Sequence, residues 1–255
     1  MLHTPDLILL AFAALGAGFI DAVAGGGGLI QVPALFATLP GEMPATLFGT
    51  NKGSSVFGTI NAAWRYGRNI VLPWRSLLLP ATLAAFLFSF AGAAVIAWLP
   101  KETVRPLALT MLVGVWLYTL MQPDFGKVAG LMPKHPLLPA LAIGALLGFY
   151  DGFFGPGTGS FLIFAFVRVF GLDFLSASAC AKFVNAATNI AALAWFVPHG
   201  QLLWPLVGIM AICNVAGAVI GSRMAIKHGS AFVRVAFLLV VGGLILKVAF
   251  DTFAR

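Results

Sequence analysis

Two stretches of this chain carry the same pattern, and both forbid an unbroken helix. The first is GFIDAVAGGGGLIQVP, Gly18 to Pro33; the second is GFYDGFFGPGTGSF, Gly148 to Phe161. Each places one aspartate in an apolar run and then a glycine-rich break. Asp21 and Asp151 are separated by 151 − 21 = 130 positions, and the same offset carries Gly25 to Gly155, Gly27 to Gly157 and Lys52 to Lys182. A shared offset over more than thirty residues without a gap marks an internal duplication.

The residues around these breaks decide the solvent. The chain of 255 residues is 60% hydrophobic and 9% charged, whereas an ordinary soluble domain is about 25% charged. So few charges cannot cover so apolar a core, and the expected fold is an all-α polytopic membrane protein. Leu7 to Ala24 fits one span of about twenty residues. It is read as a retained span, since the N-terminus lacks the basic start of a cleaved signal. Leu29 to Leu39 is too short to cross and reads as a half-helix or re-entrant segment. Pro44 to Trp64 is rich in small and polar residues, so it belongs at the centre of the bundle.

Ser76 to Leu99 and Pro106 to Met121 complete a first repeat over residues 1–121, and 122–136 is a polar linker. Residues 137–255 repeat the plan with Leu137 to Phe154, the short Gly159 to Phe170, Phe174 to Val197, Leu202 to Met224 and Ala231 to Phe250. The expectation is about eight transmembrane helices in two homologous repeats, each with a short segment after its glycine turn. Gly144 with Gly148, and Gly217 with Gly221, are spaced for close helix contacts. The basic residues of the alternating loops number six or seven depending on orientation, so the side of the N-terminus stays open, as does whether the repeats run parallel or inverted.

Several function classes are excluded. The net charge of +7 comes from basic residues scattered singly in short loops, which is no nucleic-acid patch. The two cysteines lie inside apolar segments and read as small buried residues. The four histidines fall at predicted ends or loops, so no metal site is expected. No catalytic motif is present and no cofactor is expected.

What remains is a set of polar groups inside apolar segments. Asp21 and Asp151 either brace their own glycine turns or act as proton carriers or gates. Lys52 and Lys182 either snorkel or form a structural ion pair with the aspartate of the same half, or else present a point charge to an anion or act as an ion-pair gate. The glycines Gly25, Gly26, Gly27 and Gly28, with Gly155 and Gly157, either allow close helix packing or free backbone amides for an anion. Pro156 and Thr158 replace Gly26 and Gly28, so the two turns are not equivalent, and Thr158 and Ser160 add hydroxyl donors for a substrate at the second. Asn51, Ser55, Asn185 and Asn189 either contact substrate oxygens or bond neighbouring helices.

At these residues the chain resembles the TauE/SafE family of sulfite-exporter-like permeases. The resemblance is carried by GFIDAVAGGGGLIQVPAL, Thr50 to Lys52, GFYDGFFGPGTGSF and AKFVNAATNI. It implies a multi-pass bacterial inner-membrane transporter, not an enzyme, whose substrates are sulfite, organosulfonates or related sulfur-containing anions. The expected partners are a small anion, the lipid bilayer and a coupling proton, with a homo-oligomer left open. A passive anion channel and a permease for an unrelated metabolite are the alternatives.

Overall fold

The computed structural model describes residues 4–96 and 131–253, with side chains to residue 239. The predicted span Pro106 to Met121, and most of the linker, lie outside the described residues. Every regular element among the described residues is helical.

The chain opens with α1, Thr4–Ala24, followed after three residues by the short α2, Gly28–Thr38. Helix α3 covers Pro44–Asn69, and a π-helical turn at Trp74–Leu78 feeds α4, Leu79–Val95. The later half has α5, Leu137–Phe153; the short α6, Thr158–Phe170; α7, Phe174–Phe196; and α8, Trp204–Phe253. The offset seen in the motifs recurs in the starts of elements: Gly28 and Thr158, Pro44 and Phe174, Trp74 and Trp204.

Among the described residues, Thr4–Ala24, Trp74–Val95 and Trp204–Leu239 are long and apolar enough to cross a bilayer. The 11 residues of α2 rise only about 16 Å, about half a hydrocarbon core. The last two predicted spans are joined more tightly than expected. Helix α8 runs through both, and the break is the single residue Gly229, at φ 72°.

Polarity is turned inside out relative to a water-soluble protein. Phe12, Leu87, Leu146 and Ile212 stand on the surface, whereas Thr50, Lys52, Lys182 and Thr188 are buried. Lipid-facing apolar side chains and an enclosed polar interior are what a bilayer solvent selects. Helices α3 and α7 pack against each other at the centre, with α1 along α8 and α4 along α5.

The glycine stripes explain those outer pairs. A Cβ at Gly144, Gly148 or Gly152 would fall within 2.3, 2.5 or 1.9 Å of backbone atoms of Ala81, Ala85 or Ser89 on α4. Gly217 and Gly221 meet the backbone of Leu15 and Phe19 on α1 in the same way. Lipid gives helices no hydrophobic drive to associate, so backbone-to-backbone approach supplies the packing.

The short helix α2 returns beside α1. Gly27 sits against Ala17 and the Asp21 side chain. Further along, Leu35 shares a buried cluster with Leu10 and Ala14. The chain therefore reverses at Gly25–Gly27 and leaves that turn inside the molecule.

Candidate functional site

The two glycine turns touch. A Cβ added to Gly25 would lie 2.3 Å from the carbonyl carbon of Gly159, and one added to Gly159 would lie 2.7 Å from Gly25 Cα. Gly25 and Gly26 have φ of 73° and 94°, while Gly155 and Gly157 have 90° and 88°. The inequivalence of the turns follows from Pro156. Its ring holds φ near −65°, so it cannot copy the left-handed Gly26. The second turn moves its left-handed residue on to Gly157 instead.

Ending α1 inside the protein orphans its last carbonyls, and other helices supply donors. The Tyr66 hydroxyl of α3 donates to Ala22 O at 2.7 Å, and Ser178 of α7 donates to Val23 O at 2.9 Å. Ser160 of α6 donates to Ala24 O at 3.1 Å. Lys182 of α7 donates to Asp21 O at 2.6 Å and pairs with Asp21 Oδ2 at 3.0 Å. Its charge also suits the negative end of the α1 dipole.

The second lysine pairs with the second aspartate across the same junction. Lys52 Nζ on α3 lies 2.6 Å from Asp151 Oδ2 at the end of α5. Each lysine therefore meets the aspartate of the opposite half, which corrects the same-half pairing read from the sequence. The reason is packing: α7 carries Lys182 to the end of α1, and the contact between the turns leaves Lys52 beside Gly155.

Between the turns lies a cavity of about 40 Å³, where roughly 10–15 Å³ accepts one water. Asp21, Gly26, Gly27, Gly28, Asn51, Lys52, Ser55, Asp151, Gly155, Gly157, Asn185 and Asn189 all line it. Three expected residues stand behind its wall. Gly25 is taken up by the contact with Gly159. The Thr158 hydroxyl braces its own turn by donating to Gly155 O at 2.7 Å. Lys182 is fully buried against the end of α1. The glycines thus serve both packing and lining, divided by position.

The lining carries unused hydrogen-bonding capacity. The amides of Gly26, Gly27 and Gly157 donate to no protein acceptor among the described residues. Asn51 and Asn185 are 6% and 7% exposed, and each has a side-chain oxygen without a protein partner. Thr59 reaches Asp21 Oδ2 at 3.5 Å while donating to Ser55 O at 2.9 Å.

Sequence reasoning missed a second polar chain beside the cavity. Gln31 of α2 donates to Ser54 and accepts from Asn214 Nδ2 at 3.3 Å. Asn214 of α8 also donates to Ala14 O at 3.3 Å and lines the cavity. A lone glutamine in a short apolar helix and a lone asparagine in an apolar span were the available signals. Ala17, Thr59 and Gly159 also line the cavity. Among the described residues no cluster of three or more histidine, cysteine or acidic side chains could hold a metal.

A broken-helix pair around a polar cavity in an apolar bundle is transporter architecture, and comparison with known sequences supplies the family. The family profile described as "Sulfite exporter TauE/SafE" matches residues 10–248. The chain belongs to the TauE/SafE family. It is 34% identical over 244 residues to "Probable membrane transporter protein YfcA" of Escherichia coli K12, covering 96% of this chain and 90% of the relative. It is also 34% identical over 246 residues to "Probable membrane transporter protein ORF9" of Sinorhizobium sp, covering 95% and 93%. A "Probable membrane transporter protein" of Haemophilus influenzae is 33% identical over 247 residues, covering 96% of each chain. This TauE/SafE member is a membrane transporter, and the turn-to-turn cavity is its candidate substrate site.

Proposed function

We propose that this TauE/SafE protein is a secondary transporter of the bacterial inner membrane that exports a small sulfur-containing anion, sulfite or an organosulfonate. The observation that carries the anion reading is the cavity between the turns. It gathers Lys52, with one of its three N–H donors engaged on Asp151, and the free amides of Gly26, Gly27 and Gly157. Amides at helix breaks combined with a cation form a site for oxyanions. Asn51, Ser55, Asn185 and Asn189 add side-chain hydrogen bonds to the substrate oxygens. The choice of sulfur chemistry and of export rests on the family description. No step calls for a cofactor or a catalytic constellation.

Purified protein in liposomes, loaded in turn with radiolabelled sulfite, thiosulfate, methanesulfonate and taurine, tests the reading. Saturable, protein-dependent flux of at least one of them is expected. An absence of flux for the whole panel would remove the anion assignment. A large unitary current without saturation would replace the transporter by a channel.

A further inference from the structure

We propose that the two crossed ion pairs have different roles, and that substrate moves with one proton carried by Asp151. The inference rests on the anion reading above. In the Lys182–Asp21 pair the lysine is fully buried, absent from the cavity lining, and bound to both the carboxylate and the backbone oxygen of Asp21. No substrate in the cavity reaches it. In the Lys52–Asp151 pair both residues line the cavity, and the bond between them is the one hydrogen bond made by the Lys52 side chain among the described residues. The first pair is a fixed brace at the end of α1. The second can be exchanged.

Charge balance then sets the stoichiometry. With both pairs closed, two lysines and two aspartates sum to zero, so an arriving anion would be a buried charge without a partner. A proton added to the Asp151 carboxylate forms one O–H bond and frees the Lys52 ammonium to hold the anion. The cavity stays neutral for a singly charged oxyanion. When the anion leaves, the proton leaves Asp151 and the pair closes again. Protonating Asp21 achieves nothing comparable, because it strands Lys182 where no anion can follow.

The surroundings of Asp151 leave it the exchangeable group. Lys52 faces it from α3, and Asp21 lies across the cavity on α1. On α7 the titratable groups are Lys182, held by Asp21, and the buried Cys180. On its own helix, Tyr150 is engaged with Pro156 O at 2.8 Å. Helix α4 carries no titratable side chain, and Arg168 of α6 and Arg75 of the π-helical turn are exposed. Asn51 and Asn185 line the cavity, are each more than nine-tenths buried, and each keep a side-chain oxygen without a protein partner, which marks the site as built for a polar occupant.

One consequence concerns direction. An electroneutral step gains nothing from the membrane potential. Export then requires an outward anion gradient steeper than the inward proton gradient, about tenfold for each pH unit.

The test uses proteoliposomes and a permanently ionised, singly charged probe, methanesulfonate. The wild-type protein should take up one proton per anion, read by an entrapped pH dye, and accumulate the probe when the outside is acidic. Asp151→Asn should lose acid-driven accumulation at least tenfold more than it loses probe exchange at equal pH. Asp151→Glu should restore the proton drive, which keeps the test decisive where the asparagine variant fails to fold. Acid-driven accumulation surviving in Asp151→Asn, or wild-type flux without proton uptake, or flux following sodium instead, would overturn the proposal while leaving the anion reading intact. No flux of any panel anion would overturn both.

Discussion

Lys52 on α3 reaches Asp151 on α5 at 2.6 Å, although 99 residues separate them along the chain. The pair joins an early central helix to the break of a later one, so it lines the cavity and also fastens the two parts of the chain together. Lys182 and Asp21 make the reciprocal fastening at 3.0 Å. Each of these two lysines takes its aspartate from the other part of the chain, so neither junction is satisfied by one part alone.

Removing one partner of the exchangeable pair should therefore cost more than removing both. Lys52→Met leaves Asp151 buried without its cation, a loss of about 3–5 kcal/mol for such pairs. The double variant Lys52→Met/Asp151→Asn should recover most of that, because no unpaired charge remains. Thermal unfolding in detergent measures both. Anion flux should be absent from each, since the cavity has lost its cation. Flux persisting in a folded Lys52→Met protein would make Lys52 structural.

The capped end of α1 predicts a different phenotype. Tyr66→Phe removes the shorter of two donors to Ala22 O and leaves it the 3.4 Å contact from Ser178, and Ser178→Ala removes the donor to Val23 O. A buried carbonyl left unpaired costs about 1–3 kcal/mol. Neither side chain lines the cavity, so stability should fall while the KM for the transported anion stays within about twofold. Concentration-dependent flux from matched amounts of folded protein separates the two effects.

These contacts show what a sequence can and cannot carry. The broken helices were legible because glycine and proline act locally, and the polar face of α3 was legible because a bilayer forbids it on the outside. The placing of Lys52 was not, since the offset between copies says which residues correspond and not which ones touch. Tyr66 and Ser178 were invisible for another reason. Their acceptors are backbone carbonyls, which every residue has and no side-chain pattern records. Gln31 and Asn214 were legible in principle, as isolated amides in apolar helices.

Close contact between the turns makes Gly25 intolerant. Alanine there must adopt φ 73° and place its Cβ 2.3 Å from Gly159, so Gly25→Ala should prevent folding or separate the turns and abolish flux. Gly16, within the preceding helix α1, has nothing within 4 Å of its Cβ position. Gly16→Ala should instead raise stability by up to about 1 kcal/mol through helix propensity. Unfolding temperatures of the two variants, expressed side by side, check the contrast.

Away from the cavity, Asp173 governs how α7 begins. Its carboxylate accepts from the amides of Leu175 and Ser176 at 2.9 and 3.0 Å, and from the Ser230 hydroxyl just past the Gly229 kink of α8. Partial burial alone would raise its pKa, but the hydrogen bonds from Ser230, Ser176 and the two amides outweigh that and hold it below the ordinary value. A carboxylate lowered on folding stabilises above its unfolded pKa, and that contribution is lost as pH falls through the lowered folded value. The wild-type protein should therefore exceed Asp173→Asn in stability at pH 7. The gap should close as the pH is taken below about 4, where the ordinary carboxylate titrates. Asp173→Ala should lose a further increment of about 1 kcal/mol at both pH values, because alanine cannot cap the helix. A gap between wild type and Asp173→Asn that stays constant down to pH 3 would show that the charge contributes nothing to this join.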